Sequence, residues 1–281
     1  METILCPTDF SKNASNAAAY ACALGEKFKA RIILLHVYES PAVMTEVEFT
    51  MIRDAEAMIK EGAAKQLEAL KLKLSKKFPK VSLETTLVMG AGYDEIISLA
   101  AKVNADVIIM GTTGTNKMER LLMGSTTSRV ISKAGCPVLC IPREARFNDI
   151  KRIVFATDLH EDNISSAMMI TPFAMKFGAE IIFVFVDDKH LVHADEDINK
   201  MTQKIRKQVK YPKISGFISK NTSVMKGIEY FLKKYPADML TMFTHHKHFP
   251  QLLFNQSLTK MMAHQAHIPL LALKYDDRPV V

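Results

Sequence analysis

The sequence ETILCPTD at residues 2–9 returns as KRIVFATD at residues 151–158, with an apolar run before the same Thr-Asp pair. The next apolar runs, residues 31–37 and 180–186, keep the same separation of 149 residues. Two such matches at one spacing predict an internal repeat, so the two halves of the chain are expected to share one fold.

Later parts of the repeat match at a shorter separation. Ala105-Asp106 aligns with Ala237-Asp238, and Ser125 aligns with Ser257, in both cases 132 residues apart. The second copy has therefore lost 17 residues, the difference between the two separations. The loss corresponds to the stretch 38–80 of the first copy.

A polar stretch at residues 142–149 follows an apolar strand that ends at a proline, and this composition suits a short linker. We therefore predict two domains, residues 1–142 and residues 150–275. The chain of 281 residues is long enough for each domain to bury its own core.

Strands and helices alternate in the predicted pattern of the first copy. Ser11 or Asn13 can cap the first helix. Predicted strands cover residues 4–6, 32–37, 81–88, 107–110 and 138–141. Predicted helices run to about residue 29, over 47–74, over 93–103 and over 125–133. This alternation implies a parallel sheet covered on both faces, with a ligand site beyond the carboxyl ends of the strands where strand order reverses.

The long second helix is predicted from apolar residues that recur at steps of three and four, which places them on one face. These residues are Val47, Met51, Ala55, Met58, Ile59, Ala63, Leu67, Leu70 and Leu74.

The segment after the fourth strand carries the candidate chemistry. Gly111 and Gly114 are followed by nine residues and then by Gly124-Ser125-Thr126, at the start of a predicted helix. Gly111 would let a ligand lie against the strand end, and Gly114 can adopt a positive φ. Free N–H groups and the helix dipole at 124–126 attract phosphate. Taken singly, each glycine could also merely mark the end of a strand or the start of a helix.

Two other phosphate motifs are absent from the sequence: G-x-x-x-x-G-K-[ST], and G-x-G-x-x-G after a first strand. No general base or arginine finger is evident in the glycine loop. We interpret His36 as a satisfied strand residue and Arg120 as a solvated loop charge, paired with Glu119.

The glycine spacing resembles that of the universal stress protein family, whose ATP-binding members carry Gly, two residues, Gly, nine residues, Gly, then Ser or Thr. Residues 7–9 (PTD) and 136–139 (CPVL) are also similar to that family, and the resemblance covers both halves. A tandem arrangement is a known form of the family. The resemblance implies an α/β fold of two tandem Rossmann-like (adenine nucleotide α-hydrolase-like) domains, each with a five-stranded parallel sheet and helices on both faces.

The same resemblance implies an ATP site in the first domain. Asp9 would contact the ribose or adenine, Val37 would line the adenine pocket, and the glycine segments would hold the phosphates. The implied residues are Pro7, Thr8, Asp9, Val37, Met110, Gly111, Thr112, Gly114, Gly124, Ser125 and Thr126. The implied cofactor is ATP, alone or with Mg²⁺ or Mn²⁺ held chiefly by the phosphates.

The second copy departs from the phosphate-binding pattern. Phe243 stands where the first copy has Gly111, His246 replaces Gly114, and Gln256 replaces Gly124. Ser257 is retained, and Asp158 is interpreted as ordering its own loop. This domain is predicted not to bind nucleotide but to act as a scaffold or partner surface.

Histidines and cysteines are the remaining candidates for metal or thiol chemistry. A metal site is one interpretation of five histidines in the second copy, namely His245, His246, His248, His264 and His267. Loop-packing or surface roles are favoured for them, because the sequence fixes no ligand geometry. We predict that the cysteines, Cys6, Cys22, Cys136 and Cys140, are small buried hydrophobes. Four residues along a strand span about 13 Å, beyond the roughly 7 Å between Cα atoms that a disulfide allows. Cys136 and Cys140 are therefore predicted not to pair.

The net charge of +7 comes largely from two lysine-rich stretches, residues 65–80 and 200–213. We interpret both as solvated helix faces, so that a nucleic-acid partner is not favoured. No apolar run reaches the ~18 residues that a bilayer requires, and the N-terminus has no signal-peptide pattern. The sequence therefore predicts a cytoplasmic protein without a membrane partner.

These observations leave three functional hypotheses. The leading one is an ATP-binding stress-response regulator with one nucleotide per chain and an unknown protein partner. By the resemblance, its two domains would pair through their last strands as an internal pseudo-dimer, and two chains could form a homodimer. The alternatives are a slow ATPase or other nucleotide-using enzyme, and a pure interaction module with an empty loop.

Overall fold

The computed structural model describes residues 1–39, 48–112, 123–159, 163–244 and 267–274. The chain divides into two compact units, with the change from the first to the second between Arg143 and Glu144. Each unit is built around its own parallel sheet.

The first unit contains five strands and four helices. The strands are β1 (Thr3–Pro7), β2 (Arg31–Tyr38), β3 (Leu83–Met89), β4 (Val107–Gly111) and β5 (Val138–Ile141). The helices are α1 (Lys12–Phe28), α2 (Glu48–Lys77), α3 (Gly92–Lys102) and α4 (Ser125–Lys133). The strands lie in the order β3-β2-β1-β4-β5, and every pair is parallel. The predicted α/β fold is confirmed.

Helix α1 packs closely on the centre of this sheet because its inner face is made of small side chains. Ala17, Ala18 and Ala21 are fully buried against strands that are themselves buried. Ser11, rather than Asn13, caps the helix, since the Ser11 hydroxyl accepts a hydrogen bond from the Ala14 N–H at 3.1 Å. Asn13 is thereby available for another role at the end of β4.

The second unit repeats this topology. Its strands are β6 (Arg152–Thr157), β7 (Glu180–Asp187), β8 (Ile214–Lys220), β9 (Met239–Thr244) and β10 (Leu270–Lys274). Its described helices are α5 (Asn163–Phe177), α6 (Ala194–Val209) and α7 (Val224–Lys234). The strand order β8-β7-β6-β9-β10 corresponds element by element to that of the first unit, and all pairs are again parallel.

The correspondence extends to individual hydrogen bonds. Asp106 accepts the N–H groups of Glu2 and Thr3 through one carboxylate oxygen. Asp238 accepts the N–H groups of Lys151 and Arg152 in the same way. An aspartate ahead of the fourth strand thus anchors the start of the first strand in each unit.

The shorter second copy is explained by its helices. Helix α2 has 30 residues and its counterpart α6 has 16, which accounts for most of the missing stretch. A 30-residue helix is about 45 Å long, whereas the eight-residue strand β2 spans about 26 Å. Part of α2 therefore has no sheet to cover.

That overhang corrects one prediction for α2. Ala63, Leu67 and Leu74 are buried as expected. Met58 and Ile59 are not, with 73% and 41% of their surface exposed. Periodicity identified the apolar face of the helix correctly, but not the length over which the sheet lies beneath it.

The lysine-rich helices carry their cations on the solvent side. Lys65 pairs with Glu61 at 2.6 Å and Lys200 with Glu196 at 3.5 Å, each one helical turn apart, and all four side chains are mostly exposed. Exposed pairs of this kind contribute little to stability, because solvent and salt screen them. In the part of the chain that the structure describes, no helix is both long and apolar enough to cross a bilayer.

The cysteines follow the prediction of buried, unpaired thiols. Cys6, Cys22 and Cys140 are buried, Cys136 is partly buried, and all four are free. Burial raises the pKa of the Cys22 and Cys140 thiols to about 12 and that of Cys136 to about 11. Since the thiolate is the reactive form, these shifts hold all three thiols in their unreactive state at neutral pH.

We expect iodoacetamide to label the native protein only slowly up to about pH 9, because a raised pKa leaves little thiolate at that pH. Cys136 should be modified first, since it is the least buried. Peptide mass spectrometry would read the sites, and four rapid modifications in denaturant would serve as the control. Fast native labelling of Cys6 would contradict the burial described above.

Candidate functional site

The candidate site lies where the carboxyl ends of β1 and β4 adjoin. From β1 the chain proceeds to β2 on one side, and from β4 to β5 on the other, so this is the point where strand order reverses. In such sheets the crevice at this point is the usual ligand position. The residues predicted to bind, at positions 7–9, 37 and 110–112, all lie at this edge.

The turn after β1 is held by its own side chains. The Thr8 N–H donates to the Leu35 carbonyl at 2.8 Å, and the Thr8 hydroxyl accepts the Phe10 N–H at 3.0 Å. Asp9 Oδ1 accepts the Ser11 N–H, also at 3.0 Å. Phe10 has a φ of 62°, in the left-handed region. The turn thus fixes Asp9, which is half-buried, at the crevice.

His36 supports the same turn from β2. Its Nδ1 lies 2.8 Å from the Thr8 carbonyl oxygen, and because a carbonyl only accepts, Nδ1 is the protonated nitrogen. The Phe10 and His36 rings are in contact, with centroids 4.3 Å apart and planes tilted by 35°. The prediction that His36 is a satisfied strand residue is confirmed.

The structure gives a different reason for the glycine at position 111. A Cβ there would lie 2.8 Å from Asn13 Nδ2 and 2.9 Å from Asn13 Cγ. The space beside Gly111 is therefore taken by the chain's own helix α1, rather than left open to a ligand as the sequence suggested. The Asn13 amide also reaches the Thr112 hydroxyl at 3.5 Å. Gly111 is required for close packing of α1 on β4.

The start of α4 also needs a correction. The Gly124 N–H was expected to be free, but it donates to the Thr112 carbonyl at 2.7 Å. The first bond inside the helix runs from Ser128 N–H to Gly124 carbonyl. The N–H groups without a helical acceptor are therefore those of Ser125, Thr126 and Thr127.

Helix α4 differs from the other helices whose N-termini the structure describes, namely α1, α3, α6 and α7. Side chains of Ser11 and Ser223 cap α1 and α7. Helices α3 and α6 have no such cap but carry acidic residues in their first turns. Within this described set, α4 alone has neither a side-chain cap nor an acid in its first turn. Neither of these two devices therefore compensates the positive dipole end of α4 within the described residues.

Two residues that the sequence did not indicate lie at the end of β4. The buried Thr127 hydroxyl donates to the Gly111 carbonyl at 3.0 Å and ties α4 to β4. Asn13 of α1 lies beside Gly111 and reaches the Thr112 hydroxyl. The available signal for Asn13 was a polar residue on the alanine-rich face of α1. The remaining first-turn hydroxyls, of Ser125 and Thr126, are exposed. Gly114, Glu119 and Arg120 lie outside the described residues.

The turn after β6 in the second unit is held by Thr157, the counterpart of Thr8. The Thr157 hydroxyl, at the end of β6, accepts the Leu159 N–H and lies 3.9 Å from the sulfur of Met201 on α6. His246, Gln256 and Ser257 lie outside the described residues, as do all but His267 of the histidines weighed as metal ligands. Across the described ranges, no group of three potential metal-binding side chains occurs.

Comparison with known proteins identifies relatives of this fold and sequence. The model of the Universal stress protein family matches residues 1–142. A universal stress protein of Methanocaldococcus jannaschii is 36% identical over 143 residues, which cover 50% of this chain and 81% of the relative. A second one from the same archaeon is 30% identical over 155 residues, covering 50% of this chain and 94% of the relative.

The second half is covered by a solved structure. The crystal structure of a universal stress protein from Archaeoglobus fulgidus aligns with a TM-score of 0.66 and covers 98% of this chain and 97% of its own. The sequence identity is 18%, so this likeness shows the shared fold alone.

Proposed function

This chain belongs to the universal stress protein family, and on that premise we propose that its first unit binds one adenine nucleotide as a stress-response regulatory ligand. The observation that carries the proposal is the N-terminus of α4 at the point where strand order reverses, which in the described residues has neither a side-chain cap nor an acid in its first turn. An anion at this position would accept the N–H groups of residues 125–127 and would balance the helix dipole.

The phosphates would lie over the first turn of α4. Gly124 has no side chain to cover the helix end, and its φ of −60° and ψ of 150° direct the chain into the helix without strain. The hydroxyls of Ser125 and Thr126 would add further donors. A short loop of backbone donors and hydroxyls is suited to holding phosphate in the ground state.

The nucleoside would extend towards the ends of β1 and β2. Asp9, positioned by its bond to Ser11, would accept a ribose hydroxyl or an adenine N–H, and half-buried Val37 would contact the base. A Mg²⁺ or Mn²⁺ ion would be held chiefly by the phosphates, since the described residues provide no carboxylate cluster for it.

The second unit is proposed to bind no nucleotide and to act as a scaffold or a partner surface. The Met201 side chain lies 3.9 Å from the Thr157 hydroxyl at the end of β6, and this contact supports the assignment. The substitution of Phe243 for the glycine at position 111 supports it independently.

We expect calorimetric titration of the nucleotide-free chain with ATP and Mg²⁺ to give about one site per chain. Asp9→Asn should weaken binding about tenfold, equivalent to ~1.4 kcal/mol, because the amide keeps the oxygen that caps Ser11 but loses the negative charge. Asp158→Asn, the matched change in the second unit, should leave the affinity unchanged. Two equivalent sites, or equal effects of both variants, would overturn the assignment to one unit.

Hydrolysis is the rival function, favoured only if the loop supplies transition-state stabilisation. The sequence contains no P-loop lysine, and the donors described at α4 are neutral. In a steady-state assay with excess ATP and Mg²⁺, we expect turnover well below the roughly 1 s⁻¹ that marks ordinary enzymes. Faster turnover that is abolished by Gly114→Arg would instead identify an ATPase.

A further inference from the structure

Strand β8 forms an edge of the sheet in the second unit. In the part of that unit that the structure describes, β8 pairs with β7 and with no other strand. Along a parallel strand, the backbone groups of successive residues point alternately to one side and to the other. The Ile181 N–H donates to the Lys213 carbonyl, so the backbone groups of residue 213 and of every second residue after it face β7. The backbone groups of residues 214, 216, 218 and 220 therefore point away from β7.

One carbonyl among these outward-facing backbone groups already has a hydrogen-bond partner. Arg206 Nε donates to the Ile214 carbonyl at 2.6 Å, which places that carbonyl on the outer side as the alternation requires. Beyond it, the outward N–H and C=O groups of Gly216 and Ile218 have no strand partner among the described residues. Unpaired edge groups of this kind are a template for an added strand.

Helices on both sides turn this edge into a groove. Ile198 and Asn199 of α6 form one wall, Tyr230 and Lys234 of α7 form the other, and the groove has a volume of about 590 Å³. Helix α6 approaches the strand so closely that a Cβ on Gly216 would lie 2.7 Å from Ile198 Cγ1. The groove thus follows the strand and has walls of mixed apolar and polar side chains beside the outward backbone groups.

The charges of the groove select the occupant. Its lining has two cations, Lys220 and Lys234, against one carboxylate, Asp195. A second copy of β8 (ISGFISK) would add a further lysine and no carboxylate, so it would increase this positive charge rather than balance it. An extended segment with acidic residues meets both requirements, the backbone pairing and the excess of positive charge.

We propose that the β8 edge is a docking site for an extended, acidic peptide segment of a partner protein, which adds as a further strand beside Gly216 and Ile218. Main-chain hydrogen bonds provide the affinity in this mode of recognition, and pockets for alternate side chains provide the specificity. The site is independent of the nucleotide crevice of the first unit.

The test begins with random twelve-residue peptides displayed on phage and selected on the immobilised full-length chain. The most enriched peptide is then synthesised with a fluorescent label and measured by anisotropy. We expect enriched sequences to alternate apolar and polar residues and to contain aspartate or glutamate. Ile218→Pro should weaken binding at least tenfold, because it removes an outward N–H without breaking the ladder to β7. Leu87→Pro, at the matched outward position of β3, should have no effect.

Peptide variants separate strand addition from other binding modes and do not depend on the folding of any protein variant. Two peptides should be compared, one N-methylated at the odd-numbered residues and one at the even-numbered residues. Methylation of the set whose N–H groups face β8 should weaken binding at least tenfold, and methylation of the other set should leave binding nearly unchanged. Lys220→Glu together with Lys234→Glu should also weaken binding. Any of three results would overturn the proposal: that no peptide is enriched, that the two methylated peptides bind equally well, or that the lysine substitutions leave binding unchanged.

Discussion

Replacing Ser125 with aspartate is expected to weaken nucleotide binding at least about 100-fold, or ~2.7 kcal/mol, while slightly raising the stability of the first unit. A carboxylate in the first turn of α4 would compensate the helix dipole, which is worth about 0.3–1 kcal/mol. The same carboxylate would lie beside the phosphates, where two unit charges about 4 Å apart repel by roughly 1–4 kcal/mol.

The variant is informative because the expected change in nucleotide affinity and the expected change in stability have opposite signs. Titration calorimetry would measure the affinity, and thermal unfolding without nucleotide would measure the stability. Ser125→Asn is the matched control, because it keeps the size and polarity but adds no charge, and should change the affinity far less. An unchanged affinity for Ser125→Asp would show that the phosphates bind elsewhere.

The second large effect concerns two glycines in helices. A Cβ added at Gly227 in α7 would lie 2.4 Å and 2.7 Å from the two methyl carbons of Val186, which is closer than real contacts allow. We expect Gly227→Ala to destabilise the second unit by about 1–3 kcal/mol through overpacking. Gly62→Ala in α2 should instead stabilise by about 0.5–1 kcal/mol, because nothing lies within 4 Å of its Cβ position.

Urea unfolding followed by circular dichroism would give both changes, and hydrogen exchange read by mass spectrometry would place each one in its unit. Gly227→Ala combined with Val186→Ala should recover part of the loss, because the second change removes the methyl groups that clash. Equal and small effects of the two glycine substitutions would mean that α7 does not approach β7 as described.

The fold could be predicted almost entirely from the sequence because its signals are local or repeated. A short apolar run placed β5 at the observed residues, and the Gly124-Ser125-Thr126 helix start placed α4 there. The errors arose where an element depends on its neighbours. Met58 and Ile59 fit the apolar face of α2, but burial there requires a sheet beneath them, and the strands end too soon.

The candidate site could be located from sequence but not described in detail. Glycine spacing and a helix start indicated where an anion would lie. The contact between Asn13 and Gly111 joins residues 98 positions apart, and no local pattern encodes it. The hydrogen bond from the Gly124 N–H to the Thr112 carbonyl joins the start of α4 to the end of β4, and only the folded geometry brings these two groups together.

The uncapped start of α4 also bears on how long the protein survives. A ligand that binds only the folded state adds stability that grows with its concentration, reaching about 2.7 kcal/mol at 100 times the dissociation constant. The first unit would then gain resistance to unfolding and proteolysis as the nucleotide level rises. The second unit, proposed to bind no nucleotide, would not respond. Nucleotide depletion would thus lower the abundance of the protein through turnover of its first half.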